Sequence, residues 1–273
     1  MSKSQRSTDK FYTKEEVAKD LISEVPFEKF ENVIEPSAGS GSFSSQIEGC
    51  IAIDTDPQSE EIKEQDFFDF QFHGDPSKTL VIGNPPFGRQ GSKALSFIKK
   101  ASEIADAIGF ILPKSFKKES MKKKVPSHFH IRKEIDLPDG SFVYKGGEYE
   151  VPAIFQLWVR KEEPRLRYKG SEPFGYTFSK SPKYADLTVR RVGVYAGEAS
   201  LTSQDKSLES HYFLRLDKRI KSKRVKIVEA LNQTQFPSAK DTSGPNSISK
   251  DELIQKLNPI IEEITELKKL KFW

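Results

Sequence analysis

The sequence has a single cysteine, Cys50, in 273 residues, which excludes an internal disulfide and any multi-cysteine zinc site, and no metal site is expected. No apolar run approaches the about 18–20 residues that span a bilayer. The first ten residues, MSKSQRSTDK, lack the apolar core of a signal peptide, so a cytoplasmic location is expected. With 36% hydrophobic and 31% charged residues, the composition is typical of a soluble globular protein.

The net charge of +4 is modest, but basic residues are concentrated in two places. Residues 113–124 contain six lysines and one glutamate, and residues 215–226 contain seven basic residues and one aspartate. Each run alone is typical of a solvated surface, whereas two runs together favour a polyanionic partner such as nucleic acid. The candidate phosphate contacts in these runs are Lys114, Lys117, Lys118, Arg219 and Lys223.

Short apolar runs alternate with helical patterns over about the first 160 residues. The alternation predicts an α/β fold, a doubly wound and mostly parallel sheet whose strands are covered on both faces. The predicted elements are a helix at Glu15–Ile22, strands in NVIEP, CIAID, EIKEQD, TLVIGN, AIGFIL, IRKEIDL and VPAIFQLWV, a short helix in SFSSQIEG and a helix at 92–106. We therefore predict a catalytic or binding domain at 1–163.

After Pro164 the pattern changes to short β-type pieces, which predicts a small α+β region at 164–273 with a possible role in substrate recognition. Its last segment begins with SKDE, Ser249–Glu252, which has the spacing of a helix-capping box. An apolar stripe follows at helical spacing, and Pro259 is expected to kink or split this helix. The stripe consists of Leu253, Leu257, Ile260, Ile264 and Leu267.

A glycine-containing loop, EPSAGSGSF at Glu35–Phe43, follows directly on the predicted strand NVI. Gly39 and Gly41 lack Cβ atoms where the loop turns, which lets a ligand approach the backbone. A helix is expected from Ser42, and its exposed N–H groups favour an anionic or polar ligand group. Because Ser44 replaces the third glycine of a dinucleotide pattern and no P-loop is present, the loop indicates a nucleoside without a diphosphate, or else an ordinary glycine turn.

Polar residues stand at the ends of four successive predicted strands, namely Glu35, Asp54, Asp66 and Asn84. Ligands of open α/β sheets bind beyond the carboxyl ends of the strands, so we expect these side chains to meet at one site. Asp54 is placed to accept hydrogen bonds from ribose hydroxyls. Asp66, next to Phe67, is placed to accept one from an adenine amino group while a ring packs on the base. The fourth strand runs into VIGNPPFG, Val81–Gly88. Its two prolines make a rigid turn with few backbone N–H donors, and the turn presents one amide side chain, that of Asn84.

In these segments the sequence resembles the S-adenosylmethionine-dependent adenine-N6 methyltransferases. EPSAGSGSF is similar to motif I of that family, NPPF to its catalytic motif IV, and DKFYT, Asp9–Thr13, to its motif X, with Lys14 where a proline is usual. The resemblance covers roughly residues 9–160. It implies a Rossmann-like methyltransferase sheet, S-adenosyl-L-methionine as cofactor and nucleic acid as partner. The cofactor-binding residues that it implies are Tyr12, Thr13, Glu35, Pro36, Ala38, Gly39, Gly41, Phe43, Asp54, Asp66 and Phe67.

The same resemblance implies that Asn84, Pro85, Pro86 and Phe87 are catalytic. The Asn84 side-chain oxygen and the Pro85 carbonyl would each accept one hydrogen of the target amine, and Phe87 would stack on the base. The aromatic loop at 138–152 lies near this site in the predicted order, so Phe142, Tyr144 and Tyr149 are candidate substrate contacts.

The function expected is methylation of adenine N6 in DNA. Three alternatives stay open: methylation of adenine N6 in RNA, methylation of a protein glutamine, and a nucleic-acid-binding module without catalysis. The two basic runs favour nucleic acid over glutamine, and the intact NPPF disfavours a purely binding role.

Overall fold

The structure, a computed structural model, describes residues 11–166, 170–242 and 244–266. The chain divides into two compact units, Met1–Arg167 and Tyr168–Trp273. Asp9 of the DKFYT segment and Leu267 of the apolar stripe lie outside the described residues.

The first unit is built around one large sheet with helices between its strands. Its elements in chain order are β1 (Tyr12–Thr13), α1 (Glu15–Ser23), β2 (Asn32–Glu35), β3 (Ile51–Asp54), β4 (Lys63–Glu64), β5 (Thr79–Gly83), α2 (Ser92–Ile104), β6 (Ala107–Pro113), α3 (Glu119–Lys122), β7 (Phe129–Asp136), β8 (Phe142–Tyr144), β9 (Gly147–Tyr149) and β10 (Ala153–Arg160).

The sheet has seven strands in the order β4-β3-β2-β5-β6-β10-β7. The five strands from β4 to β6 are parallel, and β10 is antiparallel to both of its neighbours. Every residue of β5 and β6 is buried, as the continuous apolar runs predict. The α/β, doubly wound prediction is therefore confirmed.

Helices cover both faces of the sheet and fix the ends of the strands in place. On one face, Ala94, Ile98 and Ala101 of α2 join a core cluster with Val81 and Ile108. On the other, Val17, Ala18 and Leu21 of α1 join a second cluster with Leu80 and Ile111. The strand order reverses between β2 and β5, and this switch point is where an α/β sheet leaves a crevice for a ligand.

The prediction of a short helix in SFSSQIEG is wrong. The connection between β2 and β3 contains only a 3-10 turn at Ser44–Gln46. The turn closes with i→i+3 hydrogen bonds, from the Gln46 N–H to the Phe43 carbonyl at 3.0 Å and from the Ile47 N–H to the Ser44 carbonyl at 3.2 Å, and the backbone is extended at Ile47. The loop is also tied to its neighbours, since the Ser44 N–H donates to Glu35 Oε2 at 2.8 Å and Ser42 Oγ donates to the Thr13 carbonyl at 2.6 Å.

The aromatic loop at 138–152 folds into a hairpin, β8 and β9, which pairs with the N-terminal strand β1 in a separate three-stranded sheet of order β1-β8-β9. Tyr12 pairs with Val143 and Thr13 with Phe142. An ion pair between Lys14 and Glu148, with an N–O distance of 2.5 Å, adds to this junction.

The second unit has its own antiparallel sheet and its own core. Its elements are β11 (Tyr176–Ser179), β12 (Leu187–Arg190), β13 (Ala199–Ser200), β14 (His211–Leu216), α4 (Arg224–Asn232) and α5 (Lys250–Thr265), and its strand order is β11-β14-β12-β13. Leu187, Val189 and Leu214 on one face of the sheet pack with Ile227 of α4 and Leu257 of α5.

Helix α5 begins with the predicted capping box. The Glu252 N–H donates to Ser249 Oγ at 3.1 Å, and the Ser249 N–H donates to Glu252 Oε2 at 2.9 Å. The helix continues through Pro259 rather than splitting there. No helix among the described residues is long and apolar enough to cross a membrane.

Candidate active site

A cavity of about 570 Å³ lies where β2, β3 and β5 end. The predicted site residues that line it are Tyr12, Thr13, Glu35, Pro36, Ala38, Gly39, Phe43, Asp54, Asp66, Phe67, Asn84 and Pro86. Its volume falls within the range of about 300–1,000 Å³ that is usual for small-molecule sites. The strand-end residues therefore meet at one cavity.

Further residues line the cavity that the sequence analysis did not single out, namely Phe11, Ser37, Ser42, Thr55, Asp56, Lys93 and Phe97. Thr55 and Asp56 directly follow the end of β3, and Lys93 and Phe97 lie one turn apart on α2, just after NPPF. Position directly after a predicted strand end was the signal that would have found Thr55 and Asp56, whereas Lys93 and Phe97 lie inside a helix, where no such signal exists. Gly41, Pro85 and Phe87 are not among the cavity's lining in the part of the chain described.

Asp54 holds the glycine loop against the end of β3. Its Oδ2 accepts from the Gly39 N–H at 2.8 Å, and its Oδ1 accepts from the Asp56 N–H at 2.8 Å. Gly39 has φ +56°, and a Cβ there would lie 2.8 Å from the Tyr12 ring. Glycine is therefore required at this position, both for the backbone conformation and for the close packing of the loop under β1.

Glu35 is a buried carboxyl group at the end of β2, and only 2% of it is exposed. Burial raises its pKa to about 8, since removal from water penalises the charged form, and the hydrogen bond from Ser44 opposes the shift only in part. Because the Ser44 N–H is bound to this carboxyl, it is not the free anion-binding group that the sequence predicts.

Asp66 lies on the exposed rim of the cavity, beside a buried ring. Its Oδ1 accepts from the Phe68 N–H at 2.8 Å. Phe67 is 1% exposed and stacks on Phe97 with ring centroids 5.5 Å apart and an interplanar angle of 27°. The pair combines a carboxylate with an apolar wall, which suits a planar base that carries an amino group.

Two buried polar atoms of cavity residues, Asn84 Oδ1 and Thr13 Oγ1, have no hydrogen-bond partner. The Asn84 backbone carbonyl, by contrast, accepts from Ser37 Oγ at 3.2 Å, so the residue is held in place through its main chain. A buried polar atom left unpaired costs about 1–3 kcal/mol. Because both residues line the cavity, these two atoms are candidates for contacts with a ligand.

Phe87 does not form the open stacking surface that the sequence predicts. Its ring is 6% exposed and packs edge-on against Phe11, with centroids 5.2 Å apart. Phe11 in turn packs against Phe142 at 4.8 Å. Phe87 therefore supports the wall formed by β1 and the hairpin.

Of the three predicted aromatic contacts in the hairpin, Phe142 is buried at 1% exposure and offers no surface to a substrate. Tyr149 is 38% exposed, and its ring lies 5.6 Å from that of the half-buried Tyr144 and 5.7 Å from that of Phe11. These two tyrosines are accessible for contact with a base.

Two of the three predicted lysine contacts in the first basic run form ion pairs with the same aspartate. Lys114 and Lys117 both face Asp136, at N–O distances of 3.7 Å and 2.6 Å. Lys118 is half-buried beside them. Arg219 and Lys223 are exposed in the second unit. Neutralisation by Asp136 makes the first basic run a weaker phosphate-binding surface than its composition suggests.

No protein-family model and no curated protein sequence matches the chain. Among solved structures, it is similar to the 23S rRNA methyltransferase ErmE, with 12% identity and a TM-score of 0.41 over 57% of this chain and 72% of that chain. It is also similar to magnesium protoporphyrin IX methyltransferase (ChlM) from Synechocystis PCC 6803, solved with bound SAM, with 16% identity and a TM-score of 0.38 over 54% of this chain and 77% of that chain. A third similar structure is described as a modification subunit of a putative type I restriction enzyme from Vibrio vulnificus YJ016. Its identity is 14% and its TM-score 0.41, over 57% of this chain and 45% of that chain. At these identities and TM-scores no activity or substrate transfers to this chain.

Proposed function

We propose that this protein transfers a methyl group from S-adenosyl-L-methionine to the exocyclic N6 amine of adenine in DNA. The observation that carries the proposal is the unpartnered buried oxygen of Asn84, in a cavity that also contains three strand-end carboxyl groups, Glu35, Asp54 and Asp66.

The residues present fit the proposed cofactor. The cavity is large enough for a nucleoside with an amino-acid tail, and Gly39 keeps the loop free of a side chain where the Tyr12 ring closes on it. Asp54 would accept the ribose hydroxyls and Asp66 the adenine amino group, while Thr13 Oγ1 offers an unpartnered hydroxyl to the methionine end. When bound, the cofactor supplies an electrophilic methyl group on a sulfonium.

The chain's own residues prepare the target amine. An aromatic amine is a poor nucleophile because its lone pair is delocalised into the ring. If Asn84 Oδ1 and the Pro85 carbonyl each accept one amine hydrogen, the nitrogen becomes more nearly tetrahedral and more nucleophilic. Proline has no N–H and a fixed φ, and Pro85 is a buried residue, so the backbone at this position has little freedom to move. Positioning of this kind contributes most of the rate in a direct transfer.

A base in a duplex reaches such a cavity only after it has been flipped out of the stack. Because Phe87 is covered by Phe11, we assign contact with the flipped base to the accessible rings of Tyr144 and Tyr149. Stacking of a base on an aromatic ring contributes about 1–3 kcal/mol.

The test is transfer of labelled methyl to duplex DNA, single-stranded DNA, RNA and a glutamine-containing peptide, followed by analysis of the modified product. We expect N6-methyladenine from DNA. N6-methyladenine from RNA alone would keep the chemistry and change the substrate. Methylglutamine, or 5-methylcytosine, which requires a cysteine nucleophile, would overturn the proposal.

A further inference from the structure

The second unit carries a basic cluster on the face of its sheet that is turned away from α4 and α5. Residues alternate along each strand, so Leu187 and Val189 of β12 point to the helices while Thr188 and Arg190 point to the opposite face. Arg190 pairs directly with His211 of β14, the first residue of that strand. Lys206, in the loop before β14, reaches the same face, where its Nζ donates to Thr188 Oγ1 at 2.9 Å.

The three basic side chains act on one another. Burial lowers the pKa of Lys206, and the positive charge of Arg190 lowers it further, although Glu198 opposes the shift. Burial also lowers the pKa of His211, and the charges of Lys206 and Arg190 add to the effect. The lowered pKa leaves His211 neutral at pH 7, so the positive charges of the cluster are those of Arg190 and Lys206, which the Glu198 carboxylate offsets in part and a bound anion would offset further.

Each of the three side chains keeps hydrogen-bond donors for a ligand. Arg190 uses its Nε, which donates to the Val192 carbonyl at 3.2 Å, and this bond leaves the donors of its two terminal nitrogens for other partners. Lys206 has used one of three N–H donors, and His211 uses Nδ1 in a contact of 2.9 Å with Ser210 Oγ, so its Nε2 remains. Within the described ranges, no carboxylate lies within 4.0 Å of the charged nitrogens of Arg190 or Lys206.

An exposed aromatic ring lies beside the cluster. Tyr195 is 64% exposed, and the Arg190 guanidinium carbon lies 5.9 Å from the centre of its ring. An exposed tyrosine next to a basic side chain is a combination that single-stranded nucleic acids bind, with a base on the ring and a phosphate on the basic group.

We propose that Arg190, Lys206, His211 and Tyr195 form a binding surface for a single strand of nucleic acid, with a phosphate between the three basic groups and a base on Tyr195. The nature of the partner rests on the function proposed above, but the four residues belong to the second unit and none of them lines the cavity of the first.

The test uses the full chain and a fluorescently labelled single-stranded DNA 12-mer, with affinity measured by anisotropy over a range of salt concentrations. The double variant Arg190→Gln/Lys206→Gln should bind more weakly, and the slope of log affinity against log salt should flatten by about 0.7 for each phosphate contact removed. Tyr195→Ala should weaken binding about tenfold. Glu198→Gln should strengthen binding, because it removes the carboxylate that faces the cluster.

The matched control is the pair Lys183 and Tyr184 in the same unit, where the Lys183 ammonium lies 5.8 Å from the ring centre but neither residue belongs to the cluster. Lys183→Gln and Tyr184→Ala should change neither affinity nor salt slope. An equal loss of affinity in these controls would overturn the proposal. Unchanged affinity in both the double variant and Glu198→Gln would overturn it as well. Inorganic phosphate that binds as tightly as the 12-mer at matched ionic strength would also overturn it, since it would show a site for a small anion only.

The outcome is separable from the proposed catalysis. If the oligonucleotide binds as expected but no N6-methyladenine forms, the surface stands and the proposed function fails. If methylation occurs while all these variants bind normally, the proposed function stands and the surface fails.

Discussion

At the scale of single residues, Asn84 is held through its backbone while its buried side-chain oxygen lacks a partner. Asn84→Ala should lower methyl transfer by about 10²–10³-fold, as removal of one preorganised hydrogen-bonding group does at other sites. It should not lower the free energy of unfolding, because the lost oxygen was unsatisfied. Asn84→Asp keeps an acceptor and should retain more activity than the alanine variant. Turnover and urea unfolding measured on both variants test these expectations for activity and stability.

Asn232 provides the matched control, since both of its side-chain groups bind the backbone of Ala199, at 2.7 Å and 3.1 Å. Asn232→Ala should therefore destabilise the protein by about 1–3 kcal/mol. Activity of Asn84→Ala within about threefold of the wild type would remove Asn84 from the chemistry.

Asp54 has two tasks, because it holds the glycine loop and is proposed to bind the ribose. Asp54→Ala should weaken cofactor binding by about 1.5–3 kcal/mol, the range for hydrogen bonds to a charged group. Asp54→Asn keeps one acceptor oxygen and should lose less. Calorimetric titration with the cofactor measures both, and unchanged affinity in the alanine variant would assign Asp54 to the loop alone.

Glu35 should make stability depend on pH in an unusual direction for a carboxyl group. Its pKa rises on folding from 4.5 to about 8, so between these values the folded protein holds a proton that the unfolded chain has lost. The free energy of unfolding should therefore fall as pH rises through this window, by at most about 1.4 kcal/mol per pH unit. Outside the window both states bind the same number of protons at this site.

Glu35→Gln should remove that slope, and Glu64→Gln, on the exposed strand β4, should leave it unchanged. Urea unfolding at pH 6 and pH 8 gives the comparison. The same slope in wild type and Glu35→Gln would mean that Glu35 ionises normally in the folded protein.

At the scale of elements, β1 is held by two pairs of residues on β8 and by the ring of Phe11, which contacts Phe87, Phe142 and Tyr149. Replacing a fully buried phenylalanine by alanine lowers the free energy of unfolding by about 3–5 kcal/mol. Phe11→Ala should lower it by less, since Phe11 is only half-buried. It should also weaken cofactor binding, because β1 carries Tyr12 and Thr13 into the cavity.

Glu148→Gln breaks an ion pair at the same junction, but the Glu148 side chain is 70% exposed. It should change stability by less than about 1 kcal/mol and leave cofactor affinity intact. Thermal melts and cofactor titrations of both variants test the contrast. Equal effects of the two changes would show that the aromatic contacts do not fix β1.

The long buried strands were predictable, because the apolar runs TLVIGN and AIGFIL are continuous and end at Asn84 or Pro113. The strand-end rule then placed Asp54 and Asp66 correctly at the cavity. The two-residue strand β1 was not predictable, since it has no periodicity of its own and depends on pairing with residues about 130 positions away. Nor does a sequence show whether an aromatic such as Phe87 faces a ligand or a neighbouring ring.

At the scale of the whole molecule, the hydrophobic clusters of the two units share no residue. A fragment of residues 1–167 should therefore fold and bind the cofactor within about twofold of the full chain's affinity, because each unit has its own core. Its binding to the labelled 12-mer should be weaker and less sensitive to salt. Calorimetry and anisotropy on the fragment test this, and a fragment that is unfolded or fails to bind cofactor contradicts it.

The pairing of β1 with β8 also sets an order of events during synthesis. Thr13 is made early, but its partner Phe142 leaves the ribosome only after the strands from β2 to β7 have been translated. A chain that folds as it emerges can thus assemble its parallel sheet while the N-terminal segment is still unpaired. A nascent chain stalled before residue 142 would therefore have the glycine loop but not the wall of paired strands that closes over it.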